Sequence, residues 1–592
     1  MIKTKIVLVL SVLLMSILLF SGCNSGKEGA KDKEDKPAAA TERKNTAAEH
    51  SSEESSKDSS MKAVVFEDPF FERYIRSYLG KGREEEILSE ELSGIGELVI
   101  DRRFIETEVS GNSMATITLQ RMDLSDLKYF TNLTKLDIQN DMNDIFYSLD
   151  AIGFCTKLEE LSFAYGTTGS TVIMPGYRYA TAYGYKTLYG ILDQLPNLKK
   201  LEIGNTNSKF LTELQEKYPG IMITTDRAVQ AVSYFKQHPG VITKVSELNN
   251  LPADTTIIHM NLDDGEDTNG AIQKAAEFEK LTVLRVAAPK GSKYDLAPLE
   301  KHGALEELAL YGGSSLKVEP AAIQNEEVLT SIPKLRYLTF QNLALSDEIL
   351  SSLKRLKTLS LSTCEIDGFR FLSSCRELYQ LKLTGGSSSR EDKEELKKEF
   401  IQGMESQRDL QYLSTEKTGT ILSYCPEVVG QMTRLRDFTS IEADEGDYFK
   451  RLILSGCKDL KRVVLTSWIE VEGYDLSSLQ GLRKLEVLWL MGSNQYDHTE
   501  VLSGLTNLQY IQLELGRVKL ENILTQLEAM SQVLIKLPNI SAAVFNHMLI
   551  TAQIPLTPDQ TEGVERFSKA LYEEGIYELY YGFPHWSGKS VK

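Results

Sequence analysis

The sequence predicts an α/β solenoid, in which short parallel strands stack into one curved sheet between an N-terminal helical cap and a C-terminal cap. The first observation behind this prediction is a unit of the form Leu-x-x-Leu-x-Leu that recurs along most of the chain. The second is the nearly constant distance between many successive copies. The third is a polar turn ahead of several copies, such as Thr506 and Asn507 before Leu508.

The whole chain is long and acidic. Its 592 residues are 42% apolar, which is enough for a core that grows by stacking repeats. The formal net charge is −18. Nucleic acids and anionic lipid surfaces require a basic footprint, so the charge balance argues against nucleic acid as a partner.

Residues 1–22 are predicted to be a lipoprotein signal peptide. Two lysines precede an uncharged run of fifteen residues, Ile6 to Phe20, which is shorter than the about 20 residues of a membrane span. Ser21, Gly22 and Cys23 follow this run. Such an ending resembles the bacterial lipobox, whose cysteine is lipidated and becomes the first mature residue. The resemblance implies a lipid anchor at Cys23 on the extracellular side of the cell membrane, and an uncleaved signal anchor is the alternative.

Residues 23–62 are predicted to be a disordered, low-complexity tether. From Asn24 to Ser60 the sequence contains no Val, Ile, Leu, Met, Phe, Tyr or Trp. Such a segment cannot bury enough apolar surface to offset the entropy that its ordering would cost.

Residues 63–96 are predicted to form the N-terminal helical cap. Asp68 suits the N-cap of a helix, Pro69 suits its first turn and Gly80 suits its end. The apolar residues between them fall on one helical face: Phe70, Phe71, Tyr74, Ile75, Tyr78 and Leu79. The first repeat would otherwise expose its core, so this amphipathic helix is expected to cover it.

The repeat unit occurs thirteen times. Its copies begin at Leu133, Leu158, Leu198, Leu281, Leu305, Leu335, Leu356, Leu378, Leu410, Leu435, Leu460, Leu485 and Leu508. Eight of the twelve intervals are 21 to 25 residues. Leucine-rich repeats are about 20 to 29 residues long, so these intervals fit that class. The first, fourth and sixth places of each unit are predicted to face the core, while the third and fifth line the concave side of the sheet.

Two long intervals divide the repeats into segments. We predict a first leucine-rich-repeat segment at residues 97–225 and a second at residues 281–530, with the C-terminal cap at residues 531–592. Residues 226–280 are interpreted either as diverged repeats or as a joint between the two segments.

The cap and the repeats resemble those of internalin-like leucine-rich-repeat proteins of bacteria. The resemblance in the cap rests on the stretch Phe66–Pro69, then Ile75 and Arg76, then Leu79 and Gly80. Together with the lipobox-like ending, the chain resembles a leucine-rich-repeat lipoprotein of a Gram-positive bacterium. This resemblance implies binding of a protein or glycan at the cell surface.

The cysteines of the repeats are predicted to be buried thiols. Cys155, Cys375 and Cys457 each lie three places before a repeat leucine, in a row that is otherwise apolar. Cys364 occupies a place where this class of repeat often has Asn or Cys. Core positions favour packed thiols over metal ligands or disulfides.

The sequence contains no arrangement typical of catalysis. The seven histidines are dispersed, and neither His-Glu-x-x-His nor Gly-x-Ser-x-Gly occurs. The acidic cluster at residues 263–270 fails the spacing of an EF-hand loop, and loose calcium binding there is a minor alternative. We therefore predict no enzymatic activity, no cofactor and no metal, and a hydrolase hidden in residues 204–280 or at the C-terminus is the least favoured alternative.

The outward places of the later repeats are predicted to form a ligand-binding face. They carry the side chains of Tyr337, Tyr412, Val464, Val487, Trp489 and Tyr510. Exposed aromatic residues on a rigid sheet are typical of binding hot spots, and packing beneath a loop is the alternative for each residue. A second candidate is a tyrosine-rich insert in the first segment, because tyrosine supplies contact area at low entropic cost. Its tyrosines are Tyr177, Tyr179, Tyr183 and Tyr185.

These observations lead to a functional hypothesis. The chain is expected to be a tethered binding module that recognises a protein or glycan ligand at the cell surface. The alternative is a structural or assembly protein of the envelope, with the solenoid as a spacer.

Overall fold

The structure is a computed structural model that describes most of the chain after the predicted tether. Within residues 62–580, the ranges it does not describe are 83–84, 102–120, 140–144, 164–184, 204–207, 226–241, 290, 313–319, 386–387, 389, 417–425, 443–451, 472–473, 494, 515–519, 541, 547–556, 560–561 and 563–576. The predicted signal peptide, the anchor residue Cys23 and almost all of the tether lie outside the described residues.

Parallel strands of the early repeats form a first sheet with five strands. In chain order these are Glu97–Asp101, Lys135–Gln139, Glu160–Phe163, Lys200–Ile203 and Met222–Thr224. The strands pair in register, so that Leu98, Leu136, Leu161 and Leu201 form one row of the core. This is the arrangement expected when every repeat contributes the same place to the same row.

The later repeats form a second sheet with thirteen parallel strands. Its strands are Ile257–Asn261, Val283–Ala287, Glu307–Tyr311, Tyr337–Gln341, Thr358–Ser362, Gln380–Thr384, Tyr412–Glu416, Asp437–Glu442, Arg462–Val471, Val487–Ser493, Tyr510–Glu514, Ala542–Asn546 and Tyr577–Tyr580. They follow the order of the chain.

The second sheet extends past both ends of the predicted segment 281–530. At its start, Ile258 and Met260 are fully buried in the places that leucines occupy elsewhere, so the repeat continues without the leucine signature. At its end, two strands of the sheet lie within residues 531–592, where only a cap was predicted. The first strand of the sheet lies in residues 226–280 and agrees with the interpretation of that region as diverged repeats, whereas the two strands within residues 531–592 were not predicted.

Short elements connect the strands of the two sheets. The α-helices are Pro69–Leu79, Ser89–Ser93, Tyr185–Leu192, Ser208–Lys217, Thr268–Ala275, Asp347–Ser352, Arg370–Ser374, Lys393–Ser406 and Leu520–Leu534. The 3₁₀ helices are Leu124–Tyr129, Leu149–Phe154, Val245–Asn250, Ala297–Leu299, Glu326–Ser331, Pro426–Gln431, Leu476–Leu479 and Thr499–Gly504. Short parallel ladders join Arg121–Asp123 to Ile145–Tyr147, Tyr474–Asp475 to Tyr496–Asp497, and Tyr294–Asp295, Ala321–Gln324, Leu343–Leu345 and Glu365–Ile366 to one another.

The cap helix Pro69–Leu79 has the termini that its sequence predicts. The Asp68 carboxylate accepts a hydrogen bond from the backbone N–H of Phe70 at 3.1 Å. Gly80 ends the helix with a φ of 67°, a left-handed conformation that glycine adopts without steric cost. The buried face of the helix, which includes Phe71 and Ile75, packs into the core beneath the first sheet.

The apolar side chains pack into two separate cores. Members of the first core lie between Phe71 and Leu214, and members of the second lie between Ile242 and Ala543. In both cores the repeat leucines face inward, as Leu485, Leu488 and Leu490 show with no exposed surface. From here on, the first segment means residues 62–225 and the second segment means residues 242–580. Each segment buries its own apolar residues.

The four cysteines that the structure describes are buried and form no disulfides with one another. Each lies near a backbone carbonyl of a preceding repeat, as in the bond from Cys457 Sγ to the Val429 oxygen at 3.0 Å. Burial raises the pKa of Cys155, Cys364, Cys375 and Cys457 to about 12. These four residues fill core places, as the repeat pattern predicts.

Alkylation should distinguish these thiols from exposed ones. At pH 8 we expect iodoacetamide to modify none of the four in the folded protein, with rates on the order of 10³-fold below that of an ordinary thiol. Peptide mass mapping before and after unfolding in urea measures the modification at each site. Modification of any of the four while the circular dichroism of the solenoid is unchanged would contradict their buried placement.

None of the helices that the structure describes is both long enough and apolar enough to cross a membrane.

Candidate functional site: the outer face of the second sheet

The outer face of the second sheet, the side turned away from the core, is covered. Many of its residues at the third and fifth repeat places are less than 9% exposed, although nothing in the sheet itself lies over them. Examples are Arg285, Glu307, Lys382, Tyr412, Asp437, Thr439, Arg462, Val464, Trp489, Tyr510 and Gln512. The corresponding face of the first sheet is open, since Val99 is 37% and Met222 is 58% exposed.

The six residues predicted to bind a ligand all lie on this outer face. Val464 pairs in register with Trp489, and Val487 pairs with Tyr510, so these four residues form one group across three neighbouring strands. Tyr412 lies further along the sheet. The structure brings the predicted residues onto one surface, in the rows that the repeat assigns.

The expectation of exposure was wrong for four of these six residues, for which the alternative of packing beneath another part of the chain applies. Tyr412 is 2%, Val464 is 3%, Trp489 is 5% and Tyr510 is 8% exposed. Tyr337 and Val487 are half-buried. Position in the repeat determines which side of the strand a residue occupies, but another part of the chain decides whether that side meets solvent.

The tyrosine-rich insert falls largely outside the described residues. Tyr177, Tyr179 and Tyr183 are among the residues the structure does not describe, and Tyr185 begins the helix Tyr185–Leu192. The insert therefore stays a prediction.

Residues of the first segment contact the outer face over a long distance in the sequence. We call this set of residues the docking surface. It consists of Glu67, Asp68, Phe70, Arg73, Asp123, Ser125, Tyr147 and Ser148. They lie at the start of the cap helix and at the ends of the short ladder strands Arg121–Asp123 and Ile145–Tyr147.

Asp68 connects three parts of the chain. Besides capping its own helix, its carboxylate accepts from the Asp123 N–H at 2.6 Å and from the Tyr412 hydroxyl at 2.9 Å. Burial raises the pKa of Asp68 to about 7, and the nearby Asp123 carboxylate adds to the effect, while Arg436 acts against it. Loss of this side chain would therefore affect both the cap and the docking.

Phe70 fills an aromatic slot on the outer face. Its ring meets Tyr412 at a centroid distance of 5.0 Å and Tyr379 at 5.6 Å, both in edge-to-face geometry. Such pairs stabilise by about 0.5–1.5 kcal/mol beyond the area they bury. The slot fixes the first turn of the cap helix against the second sheet.

Arg73, about one helical turn after Phe70, makes an ion pair with the outer face. Its Nη2 lies 2.6 Å from Glu307 Oε2, and its guanidinium carbon lies 4.2 Å from the centre of the Tyr337 ring. Glu307 is also bound by Arg285 of the neighbouring strand at 2.5 Å. Burial opposes ionisation of Glu307, but the two guanidinium groups outweigh it and lower its pKa to about 2.

Asp123 forms ion pairs with two cations of the outer face. Its Oδ2 lies 2.5 Å from Lys461 Nζ and 3.0 Å from Arg436 Nη1, and the side chain has no exposed area. Burial acts against its ionisation, yet Lys461 and Arg436 lower the pKa of Asp123 to about 2. The Ser125 N–H and hydroxyl also donate to this carboxylate, at 3.0 and 2.5 Å.

Tyr147 reaches a buried ion pair on the outer face. Its hydroxyl donates to the Asp437 carboxylate. Asp437 also accepts from Arg462 at 3.1 Å, and Arg462 donates to Thr439 Oγ1 at 3.0 Å. Because Asp437 and Arg462 belong to neighbouring strands, this pair is part of the sheet and Tyr147 adds to it from outside.

Ser148 ends the docking surface in a left-handed conformation. Its φ is 55°, which costs energy for a residue other than glycine. Its N–H donates to Glu486 Oε2 at 3.2 Å, and Lys461 donates to its hydroxyl. Burial raises the pKa of Glu486 to about 8, partly offset by Lys461 and reinforced by Asp123.

Sequence reasoning missed the charged half of this site. Glu307, Asp437 and Arg462 occupy third places of the repeat, so the pattern assigns them to the outer face. The prediction chose aromatic residues and passed over the charged ones, because charged side chains on the surface of a solenoid are usually solvated. No local signal links these residues to Asp123 or Tyr147.

The charged groups of the site contact one another across two surfaces of the protein. The described residues contain no group of three His, Cys, Asp or Glu side chains placed to hold a metal ion. The charged groups of the site form ion pairs and hydrogen bonds between two surfaces of the protein. What they do in this structure is recognise a folded surface.

Repeated strands in register, with buried leucines and short connecting helices, define the chain as a leucine-rich-repeat solenoid. An internalin from Listeria monocytogenes is similar at 17% identity, over 73% of this chain and 95% of that one, with a TM-score of 0.28. A leucine-rich-repeat protein from Leptospira interrogans is similar at 13%, over 83% and 97%, with a TM-score of 0.30. The functional domain of InlJ from Listeria monocytogenes is similar at 14%, over 76% of each chain, with a TM-score of 0.27.

The sequence matches no protein-family model and no curated protein. The class of the protein therefore rests on the geometry of its own repeats.

Proposed function

We propose that this chain is a binding protein of the cell surface, anchored to the membrane through a lipid on Cys23. Its ligand is a protein, or a glycan, recognised by the outer face of the second sheet. The observation that carries the proposal is that this face already holds a folded protein surface through aromatic contacts and ion pairs. A long parallel sheet with a continuous outer face supports it, because such surfaces are the binding surfaces of repeat proteins.

Loss of the aromatic group should abolish ligand capture. Residues 61–592 serve as the bait for capture of a specific partner from envelope extract. When Tyr412, Trp489 and Tyr510 of this bait are all changed to alanine, we expect that partner no longer to be captured. Aromatic anchors of this kind each contribute about 2 kcal/mol or more when they are hot spots. Quantitative mass spectrometry of the captured proteins measures the effect.

The matched control is Phe154→Ala, which removes a ring that is 55% exposed and lies in the first segment. Thermal unfolding followed by circular dichroism shows whether the solenoid of each variant is intact. Unchanged capture by an intact triple variant would remove this group of residues from the proposal. If the bait captures only further copies of this chain, the result would favour the assembly role instead.

The lipid anchor has an independent test. Cys23→Ala should release the protein from the membrane fraction into the soluble fraction, because the thioether to the lipid cannot form. Fractionation with immunoblotting measures the distribution, and Ser25→Ala serves as the control beyond the lipobox. Continued membrane retention of the cysteine variant would favour an uncleaved signal anchor.

A further inference from the structure

Separate cores allow the two segments to part without unfolding. The first core contains residues from Phe71 to Leu214 and the second contains residues from Ile242 to Ala543, with none in common. The docking surface meets the outer face through hydrogen bonds, ion pairs and three aromatic rings. Parts of a chain that have their own cores commonly move relative to one another.

Two cations of the outer face depend on the first segment for their carboxylates. Among the described ion pairs, Arg436 is paired with Asp123 at 3.0 Å and Glu67 at 3.7 Å, and Lys461 is paired with Asp123 at 2.5 Å. Both carboxylates belong to the docking surface. Release of that surface would leave two adjacent cations facing solvent without these partners.

Two other ion pairs of the outer face would stay intact. Arg285 is bound to Glu307, and Arg462 is bound to Asp437, within the second sheet itself. Arg436 and Lys461 differ from these two cations, because the carboxylates of their described ion pairs belong to the first segment.

The aromatic slot lies beside these cations. Tyr379, Tyr412, Arg436 and Lys461 stand at the start of four consecutive strands of the second sheet, so the whole site spans about 15 Å at the usual strand spacing. The segment in the site supplies matching groups from one short stretch: Glu67 for Arg436 and Phe70 for the slot.

We propose that this part of the outer face is a binding site for an acidic, aromatic-containing polypeptide, which the chain's own docking surface occupies until it is released. The inference rests on the proposed function and specifies its ligand. The cations bind carboxylates, which a polypeptide or an acidic glycan could supply. A polypeptide is favoured because the slot also binds an aromatic ring. The docking surface and the ligand compete, so the closed form binds the ligand weakly.

The test uses the full chain and two independent variants that open the site from the docking surface. Asp123→Lys places a cation against Arg436 and Lys461, and Arg73→Glu places a carboxylate against Glu307. Lys199→Glu is the control, because this lysine is 70% exposed and pairs with Glu159 inside the first segment. Small-angle X-ray scattering reports opening as a larger radius of gyration, and circular dichroism reports an intact fold.

Binding is measured by fluorescence anisotropy with a labelled peptide of residues 63–74 of this chain. Its matched analogue carries Glu67→Gln, Asp68→Asn and Glu72→Gln, and oligogalacturonate serves as the acidic glycan. We expect the open variants to bind the acidic peptide at least about 10-fold more tightly than the wild type does, because the competing surface is gone. The amide analogue should bind at least about 10-fold more weakly, and adding Arg436→Ala with Lys461→Ala should remove the difference.

Four results would overturn the inference. An open variant that binds neither peptide or both equally lacks the carboxylate site. An open variant that prefers oligogalacturonate is a glycan-binding protein at this position. A chain that stays closed when both opening changes are combined cannot admit a ligand. If wild type and open variants instead capture the same envelope partner equally, the proposed binding function stands on another surface while this inference fails.

Discussion

Glu307→Ala is expected to lower the free energy of unfolding by about 3–5 kcal/mol, the range seen when one partner of a buried ion pair is removed. Glu307 is 5% exposed and holds Arg285 at 2.5 Å within the sheet and Arg73 at 2.6 Å from the cap helix. The change removes the Glu307 carboxylate from the Arg285 guanidinium, which is itself 5% exposed. It also removes one contact of the docking surface, so the effect should appear in both stability and closure.

The matched control is Glu300→Ala. Glu300 pairs with Lys301 at 3.2 Å, but the two side chains are 57% and 80% exposed. An exposed pair of this kind contributes about 0–1 kcal/mol. Urea unfolding of both variants compares the two effects, and equal losses would show that the Glu307 pair is solvated in the protein.

A double-mutant cycle separates the role of Glu307 in docking from its role in the sheet. Arg73→Ala and Glu307→Ala should be strongly non-additive, because one contact is removed by either change. Additive losses would mean that Arg73 and Glu307 do not interact in solution, and the docked arrangement would then be wrong at this point.

Closure of the outer face is expected to weaken as the pH rises from about 4 to about 8. The pKa of Asp68 is raised from its ordinary 3.8 to about 7, and that of Glu486 from 4.5 to about 8, chiefly by burial. A released surface returns both groups to water, so the docked form binds more protons. Their stabilising contribution is therefore complete below the ordinary pKa values and is lost as the pH rises through the raised ones.

The groups that face these two acids determine the size of the effect. Asp68 lies near Asp123 and Arg436, and Glu486 lies near Lys461, Asp123 and Asp150. Between its ordinary pKa and its raised pKa, each acid is protonated in the closed form and ionised in the open form. Over this range each acid should change the free energy of closure by about 1.4 kcal/mol per pH unit. The open fraction should rise at least about 10-fold between pH 5 and pH 8, as measured by scattering at constant ionic strength.

Another acid limits closure at low pH. Burial acts against ionisation of Asp123, but Lys461 and Arg436 lower its pKa to about 2, and release of the docking surface removes both cations. The contribution of Asp123 to closure is therefore present above its ordinary pKa and is lost as the pH falls from about 4 towards 2. The closed form should therefore be most stable near pH 4.

Uncharged variants test the assignment of the pH dependence. Asp68→Asn and Glu486→Gln resemble the protonated acids and should flatten the change between pH 5 and pH 8. Glu500→Gln is the control, because that side chain is 74% exposed. An open fraction that does not change over this range, or that rises as the pH falls from 8 to 5, would contradict the role of the two acids.

Local pattern was enough to predict the repeats, the cap helix and the buried thiols. Asp68, Pro69 and Gly80 lie where the helix begins and ends, because capping depends on residues within one turn. Leucine spacing predicts the inward rows, since a strand alternates its side chains between two faces. The start of the second sheet, where Ile258 and Met260 take the place of leucine, agrees with the diverged-repeat interpretation of residues 226–280. The strands Ala542–Asn546 and Tyr577–Tyr580 escaped prediction because they lack the leucine spacing.

The sequence by itself determined that this protein is a leucine-rich-repeat solenoid and which residues line the outer face of its second sheet. Only the tertiary structure decided that this face is closed. The reason is physical: spacing along a strand specifies a side of the sheet, whereas the contacts from Asp68 to Tyr412 and from Asp123 to Lys461 join residues 344 and 338 positions apart. Such contacts depend on how one folded surface fits another, and no local period in the chain records that fit.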